Sequence, residues 1–196
     1  MPGQALFDHA VMQAKLAQRT SVIKGILWHQ GETDCAPERA AHYTEKLDTI
    51  MTALRHQLDL PTAPLLVGGL GEFLPECQLQ DYFSNAAIVD TALQRFAQER
   101  ENCFYVSAKG LESNPDHLHF NAESQRLFGL RYFEAYDKKR SVTEPLPTEQ
   151  EFLLQLSVQR CTPPEERIKR LKQQLSQGEI GRYEYHIRMD ALIEMI

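Results

Sequence analysis

The sequence lacks several features that would assign it to a specialised protein class. Its four cysteines form no Cys-x-x-Cys pair, so the spacing typical of zinc sites and thioredoxin-like motifs is missing. No run approaches the roughly 18 apolar residues that a membrane-spanning helix needs. The net charge of −6 argues against nucleic acid or an anionic membrane as a partner. No basic start and apolar stretch mark a secretory signal, so we expect a cytoplasmic protein whose cysteines are reduced. We also expect that the protein uses no metal and no other cofactor.

The composition that remains is that of one globular domain with a small appendage: 196 residues, 42% of them hydrophobic. Three strand-like apolar runs are each followed by apolar residues at helical spacing. Alternation of strands and helices predicts an α/β fold with a parallel sheet whose strand ends all lie at one edge. The three predicted strands are Val22–Trp28, Leu65–Gly68 and Cys103–Val106.

The pattern changes near Asp137, where a short basic run and two prolines precede a segment with helical periodicity only. We therefore expect a domain over residues 1–137, a linker over 138–148 and a helical tail over 149–196. Pro164 is suited to the first turn of a helix and Gly178 to its end, which predicts a C-terminal helical hairpin. Residues 175–180 weakly resemble the short C-terminal helical modules called SHOCT.

A polar cluster, His29-Gln30-Gly31-Glu32, directly follows the first predicted strand. Open α/β sheets bind ligands at the carboxyl ends of their strands. The glycine lets the backbone approach a ligand, the Gln30 amide is a donor for a developing oxyanion, and Glu32 can lock the loop. His29 suits either a structural hydrogen bond or a ligand contact. The alternative is a polar turn in which Gln30 and Glu32 only satisfy backbone groups.

A second cluster, Asp116-x-x-His119, follows the third predicted strand. An aspartate three residues before a histidine can accept the imidazole Nδ1–H, which leaves Nε2 to take a proton. This is the arrangement that general acid–base catalysis needs. The alternative is a loop aspartate beside an unrelated histidine.

Together, the two clusters resemble the carbohydrate-esterase branch of the SGNH hydrolase superfamily, the sialate O-acetylesterase-like and acetylxylan esterase-like group. Residues Trp28–Asp34 read Trp-His-Gln-Gly-Glu-Thr-Asp, where that family usually has Trp-His-Gln-Gly-Glu-Ser-Asp. Residues Ser113–Phe120 resemble its final block, with aspartate and histidine three apart. The resemblance covers about Pro2 to Tyr136.

The resemblance implies a flavodoxin-like three-layer fold and the removal of an acetyl group from a sugar, or hydrolysis of a small ester, through an acyl-serine. His119 would be the general base and acid, and Asp116 the carboxylate that orients it. Gln30 would donate to the oxyanion together with a backbone N–H near Gly31, while His29 and Glu32 would lie on the substrate side.

The nucleophilic serine of this family lies in a Gly-Gln-Ser-Asn block upstream of the tryptophan block, and this sequence has no such block. The nearest equivalent, Gly3-Gln4, is followed by Ala5. The serines near the predicted site, or near strand one, do not lie on a strand-to-helix turn that exposes a nucleophile. These serines are Ser21, Ser84, Ser107 and Ser113.

We therefore expect an SGNH domain truncated at its N-terminal side, with an unpaired sheet edge. The C-terminal helices, a partner chain or self-association would cover that edge. Three functions stay open: an esterase whose serine comes from elsewhere, an inactive remnant that binds a carbohydrate or a protein, and a structural module assembled through its tail.

Overall fold

The computed structural model describes residues 2–77, 83–161 and 163–193. Three parallel strands, in the order β1–β2–β3, form one sheet whose carboxyl ends share an edge. The predicted α/β class is confirmed, and β2 and β3 have the predicted bounds. Strand β1 is shorter than predicted because the ladder stops at Pro64, whose carbonyl accepts the Ile26 N–H but which has no N–H to donate. The strands are β1 (Ile26–Trp28), β2 (Leu65–Gly68) and β3 (Cys103–Val106).

The described residues form eight α-helices, and those predicted from apolar spacing are present. Helix α5 begins as the sequence suggests, because the Asn121 side chain accepts the Ser124 N–H at 2.8 Å and so caps the first turn. The helices are α1 (Pro2–Ala17), α2 (Pro37–Ala40), α3 (Tyr43–Leu58), α4 (Ala86–Gln98), α5 (Ala122–Lys138), α6 (Glu149–Cys161), α7 (Pro164–Ser176) and α8 (Arg182–Ile193).

Two neighbouring glycines at the end of β2 show the three layers. Successive residues of a strand point to opposite faces. A side chain on Gly68 would collide with Tyr132 of α5, whereas one on Gly69 would collide with Tyr105 and crowd Asp90 of α4. Helices α4 and α5 therefore cover opposite faces of the sheet, and α3 packs beside α4 and α1 beside α3.

The two outer edges of the sheet differ. Along β3, Val142 donates its N–H to the Tyr105 carbonyl and accepts the Ser107 N–H, both at 2.8 Å, so an extended segment closes that edge. Strand β1 has β2 as its only strand neighbour in the described part of the chain, and Leu27 at its centre is 64% exposed. The edge beside β1 is therefore the open one.

A buried ion pair joins the end of β3 to the start of α6. Arg131 is 1% exposed, and its Nε and Nη2 donate to the two carboxylate oxygens of Glu149 at 2.9 and 2.6 Å. Its Nη1 donates to the carbonyls of Ser107 and Lys109 at 2.9 and 2.8 Å. The loop that follows β3 is therefore fixed by a charge on α5.

The chain divides into two compact units, Met1–Glu149 and Gln150–Ile196. Within the second unit, α7 packs against α8, as the predicted hairpin requires. Gly178, with φ of 72°, lies in the turn between these helices, where a left-handed conformation favours glycine. None of the described helices combines the length and apolar character needed to cross a bilayer. The apolar contact of the hairpin is built from Leu171, Ile180 and Leu192, flanked by Ile168, Leu175 and Tyr185.

Replacing Asn121 with alanine is expected to lower the free energy of unfolding by about 1 kcal/mol, because the first turn of α5 loses its side-chain cap. Urea denaturation followed by circular dichroism measures the change. Asn85 is the matched control, since it precedes α4 at the same position without a side-chain cap bond. Equal losses for Asn121→Ala and Asn85→Ala would contradict the assigned cap.

Candidate active site

The loop over residues 113–120 folds back on itself and holds one carboxylate in place. Ser113 pairs with Phe120 as an antiparallel bridge, and the Asn114 N–H donates to the His119 carbonyl at 2.8 Å. Inside this turn, Asp116 Oδ1 accepts the N–H groups of Leu118 and His119, both at 3.0 Å. Two backbone N–H groups therefore fix the Asp116 carboxylate, independently of any side-chain contact.

The second oxygen of Asp116 faces the imidazole of His119. Asp116 Oδ2 lies 2.7 Å from His119 Nδ1, and the His119 side chain is 70% exposed. The pKa of Asp116 is lowered, first by the hydrogen bond from the His119 ring and then by the backbone N–H groups of His119 and Leu118. An Nδ1–H donated to the carboxylate leaves Nε2 as the nitrogen that can take a proton. The catalytic role of both residues stays a prediction.

We expect Asp116 to stay ionised as the pH falls through the range in which an ordinary aspartate takes up its proton. Because its folded pKa is lowered, the order that it gives the loop is present above the ordinary pKa and is lost only as the pH falls through the lower folded value. Carboxyl 13C NMR measures the titration. In His119→Ala the pKa of Asp116 should rise towards its ordinary value, and identical titrations in both proteins would contradict the contact.

The end of β1 is held from both faces of the sheet. Tyr132 of α5 donates its hydroxyl to the Trp28 carbonyl at 2.9 Å. Tyr43 of α3 accepts the Trp28 indole N–H at 3.1 Å and donates to the Gln30 carbonyl at 2.6 Å. Burial raises the pKa of both tyrosines well above the ordinary value, so both hydroxyls stay protonated as donors. The backbone that presents His29 and Gln30 is therefore fixed.

Gly31 adopts a backbone conformation that favours glycine, with φ of 156° and ψ of −13°. It is also enclosed, since a Cβ built there would lie 3.0 Å from Val89 Cγ1 and 3.3 Å from Leu70 Cδ2. The tight turn after β1 therefore requires a residue without a side chain, and α4 packs directly against it.

Two donors of this turn are engaged by neighbouring carboxylates. The Gln30 amide Nε2 donates to Asp34 Oδ2 at 3.1 Å, and the Gly31 N–H donates to Glu32 Oε2 at 3.0 Å. These are the two donors that the sequence analysis places at an oxyanion. Binding of an oxyanion requires the Gly31 N–H to leave Glu32, whereas the Gln30 amide nitrogen has a second N–H to donate.

An aromatic contact brings His29 of the first cluster beside the loop that carries the second cluster. The His29 ring centroid lies 5.5 Å from that of Phe120, the residue after His119, and 5.2 Å from that of Phe128. Phe73 packs edge-on against Phe120 at 5.0 Å. His29 is exposed, so its ring lies on the surface beside the loop of Asp116 and His119. Gln30, Gly31 and Glu32 contact α3, α4 and the turn after β1 instead.

Asp90 of α4 is a supporting residue that the sequence analysis missed. Its Oδ1 accepts the Leu70 N–H at 3.0 Å and the Tyr105 hydroxyl at 2.9 Å, and its Oδ2 accepts the Gln94 amide at 2.9 Å. Burial first, and then the charge of Asp90, raises the pKa of Tyr105 and keeps its hydroxyl protonated. Asp90 therefore fixes the loop after β2. The sequence signal for this residue was an aspartate next to Val89 on the apolar face of a helix.

Two side chains that could carry a nucleophile after β1 and β3, Cys35 and Ser107, are not activated. Cys35 is fully buried and its thiol donates to the Gly31 carbonyl, and burial, followed by the charge of Glu32, raises the pKa of that thiol to about 12. Ser107 is 5% exposed, and its hydroxyl oxygen accepts the Lys109 N–H at 3.1 Å. Among the described residues, no group of three or more histidine, cysteine, aspartate or glutamate side chains is placed to hold a metal ion.

The chain matches a known protein family and a relative whose structure is solved. Residues 1–138 match the family described as carbohydrate esterase, sialic acid-specific acetylesterase. The chain is 30% identical over 142 residues to a probable carbohydrate esterase of Arabidopsis thaliana, a match that covers 68% of this chain and 48% of the relative. The X-ray structure of that Arabidopsis protein superposes with a TM-score of 0.58 at 27% identity, covering 68% of this chain and 52% of the other. The chain thus spans about half the length of the relatives that it matches.

Proposed function

Because this chain belongs to the carbohydrate esterase family of sialic acid-specific acetylesterases, we propose that it provides the acid–base part of a sugar O-acetylesterase. The observation that carries the proposal is the 2.7 Å contact between Asp116 Oδ2 and His119 Nδ1 on an exposed loop. In this proposal, residues 1–137 form the esterase domain, 138–148 a linker that also closes the sheet edge at Val142, and 149–196 a helical tail.

His119 acts first as a base and then as an acid. Its Nε2 removes the proton from a serine hydroxyl while that oxygen attacks the acetyl carbonyl, and Asp116 stabilises the imidazolium. The ring returns the proton to the sugar oxygen as the ester C–O bond breaks, which leaves an acetyl-serine. Water, deprotonated by the same nitrogen, then releases acetate and restores the serine. Such proton transfers contribute about 10²–10⁴ in rate.

The Gln30 amide and the Gly31 N–H stabilise the oxyanion in this proposal. Each such donor is typically worth about 3 kcal/mol of barrier. The Gly31 N–H exchanges the Glu32 carboxylate for the negative oxygen of the tetrahedral intermediate, and the Gln30 amide donates its second N–H. His29 contacts the sugar, because its ring is exposed beside Phe120 and therefore beside the His119 loop.

The nucleophilic serine, we propose, comes from a Gly-Gln-Ser-Asn segment like the one that the family carries, and not from these 196 residues. The burial of Ser107 and the raised pKa of Cys35 support this. The open edge beside β1 also supports it, because a further parallel strand paired there would end beside His29 and Gln30.

Acetate release from O-acetylated sialic acid and from acetylated xylo-oligosaccharides tests the proposal. The chain is assayed alone and together with a Gly-Gln-Ser-Asn segment from a family member, a combination that we call the completed chain. We expect release only by the completed chain. Release by this chain alone would overturn the proposal that the serine comes from another segment. If a folded completed chain released acetate from neither substrate, the proposed esterase function would be overturned.

A second function, a binding module for a carbohydrate or a protein, is favoured by the two donors already paired within the chain, Gln30 with Asp34 and Gly31 with Glu32. Such pairing leaves a rigid turn that needs no oxyanion. Calorimetric titration with the unacetylated sugar distinguishes the two functions. Binding by a completed chain that releases no acetate would favour the module.

A further inference from the structure

A surface groove runs along α1, and none of its lining residues belongs to the Asp116–His119 loop. It has a volume of about 510 Å³ and is closed on the α3 side, where Gln57 contributes to its wall. Gln18 donates its side-chain amide to the Leu58 carbonyl at 2.9 Å, which fixes the end of α1 against α3. The groove is lined by Phe7, Asp8, Val11, Met12, Lys15, Leu16, Arg19 and Gln57.

The centre of this groove is apolar and open to solvent. Met12 and Leu16 are each 48% exposed, although they lie one helical turn apart on the same face of α1. Val11 beneath them is buried against the rest of the unit. Helix α1 therefore presents one apolar stripe inward and a second stripe to solvent, and a helix with a second apolar stripe is typical of an interface.

The two ends of the groove carry opposite charges. Asp8 lies one turn before Met12, whereas Lys15 and Arg19 lie one and two turns after it. A helix that crosses this face antiparallel, centred on Met12, meets a negative side chain at one end and two positive ones at the other. The matching helix must carry an acidic residue about one turn before its centre and basic residues after it.

Helix α1 itself has this pattern. In an antiparallel pair of α1 helices with Met12 on the twofold axis, Asp8 of each copy lies opposite Leu16 of the other, beside its Lys15 and Arg19. Both apolar residues are then covered, and each carboxylate faces two cations. A parallel pair would instead place Asp8 against Asp8 and Arg19 against Arg19. The charge pattern thus selects one orientation, and it is the closed twofold one.

We propose that the occupant of this groove is a second copy of the chain, bound through α1 in an antiparallel, twofold-symmetric pair. A 16-residue helix is about 24 Å long, so the contact is at the small end of protein interfaces. The dimer therefore dissociates in the micromolar range and weakens as salt screens the charges at its rim.

Sedimentation velocity from about 1 µM to about 1 mM of the full chain measures the association. Two charge variants make the test specific. Asp8→Arg makes the groove positive at both ends, and Lys15→Glu with Arg19→Glu makes it negative at both ends. We expect each variant alone to dissociate at least about tenfold more readily than the native chain, and an equimolar mixture of the two to associate.

Gln13→Arg is the control, because it places the same arginine side chain at an exposed position of α1 outside the groove and adds one positive charge there, and it should associate like the native chain. The mixture separates loss of the interface from loss of folding, since a misfolded chain is not rescued by its partner. The proposal is overturned if the native chain is monomeric over the whole range, if the mixture does not associate, or if Gln13→Arg weakens association as much as Asp8→Arg.

Discussion

Replacing His119 with alanine is expected to lower the rate of acetate release by the completed chain by about 10²–10⁴-fold. Without the imidazole, no group beside Asp116 takes the proton from the attacking serine or returns it to the sugar oxygen. The loss should fall on kcat and leave KM nearly unchanged, because the ring acts on the reacting atoms and not on substrate binding. Initial rates at several substrate concentrations separate the two constants.

His117 provides a matched control two residues away on the same loop. His117 Nδ1 lies 3.4 Å from Glu76 Oε2, so its ring contacts a carboxylate other than Asp116. The backbone φ of His117 is 52°, a left-handed conformation that asparagine adopts more readily than alanine. His117→Asn should keep the rate within about threefold, an energy difference below 1 kcal/mol. Equal losses in His117→Asn and His119→Ala would show that loop order, and not the base, determines the rate.

Replacing Glu149 with alanine is expected to destabilise the first unit by about 3–5 kcal/mol. The substitution leaves the charge of Arg131 buried without its carboxylate, which costs far more than the pair contributes as a whole. Glu149 Oε2 also accepts the Leu146 N–H at 3.0 Å, so the segment before α6 loses a contact as well. Urea denaturation monitored by the fluorescence of Trp28 measures the effect.

Glu144 is the comparison for an exposed pair. It bonds Lys109 at 2.9 Å, but its side chain is 65% exposed, so Glu144→Ala should cost less than about 1 kcal/mol. Burial by itself would raise the pKa of Glu149, yet the hydrogen bonds from Arg131 and Leu146 lower it overall. The stability that Glu149 provides is therefore present above the ordinary glutamate pKa and is lost as the pH falls through the lower folded value. Similar losses in Glu144→Ala and Glu149→Ala would contradict this account.

The parts of the fold that could be predicted are those encoded by local periodicity. Strands β2 and β3 and helix α3 follow from apolar spacing alone, and the Asn121 cap from one side chain at a helix start. The contact of Asp116 with His119 was also predictable, because the two residues are only three positions apart within one turn. Strand β1 was shorter than predicted because Pro64, which has no N–H to donate, lies directly before the neighbouring strand β2.

The supporting contacts of the candidate site could not be predicted, because they join residues far apart in sequence. The Tyr132 hydroxyl bonds the Trp28 carbonyl across 104 residues, and Asp90 bonds Leu70 across 20. The pairing of Gln30 with Asp34 is close in sequence, but it depends on side-chain rotamers within a turn, which composition and spacing do not determine. Sequence therefore indicated the chemistry, and only the structure showed how the loops are fixed.

Intact-mass measurement after treatment with a fluorophosphonate probe tests the central claim most directly, namely that Asp116 and His119 activate a serine that lies outside these 196 residues. The account predicts an unchanged mass for this chain alone. It predicts a single adduct on the Gly-Gln-Ser-Asn serine of the completed chain, and no adduct when that chain carries His119→Ala. A His119-dependent adduct on the chain alone, or an adduct on the completed chain that persists in His119→Ala, would contradict it.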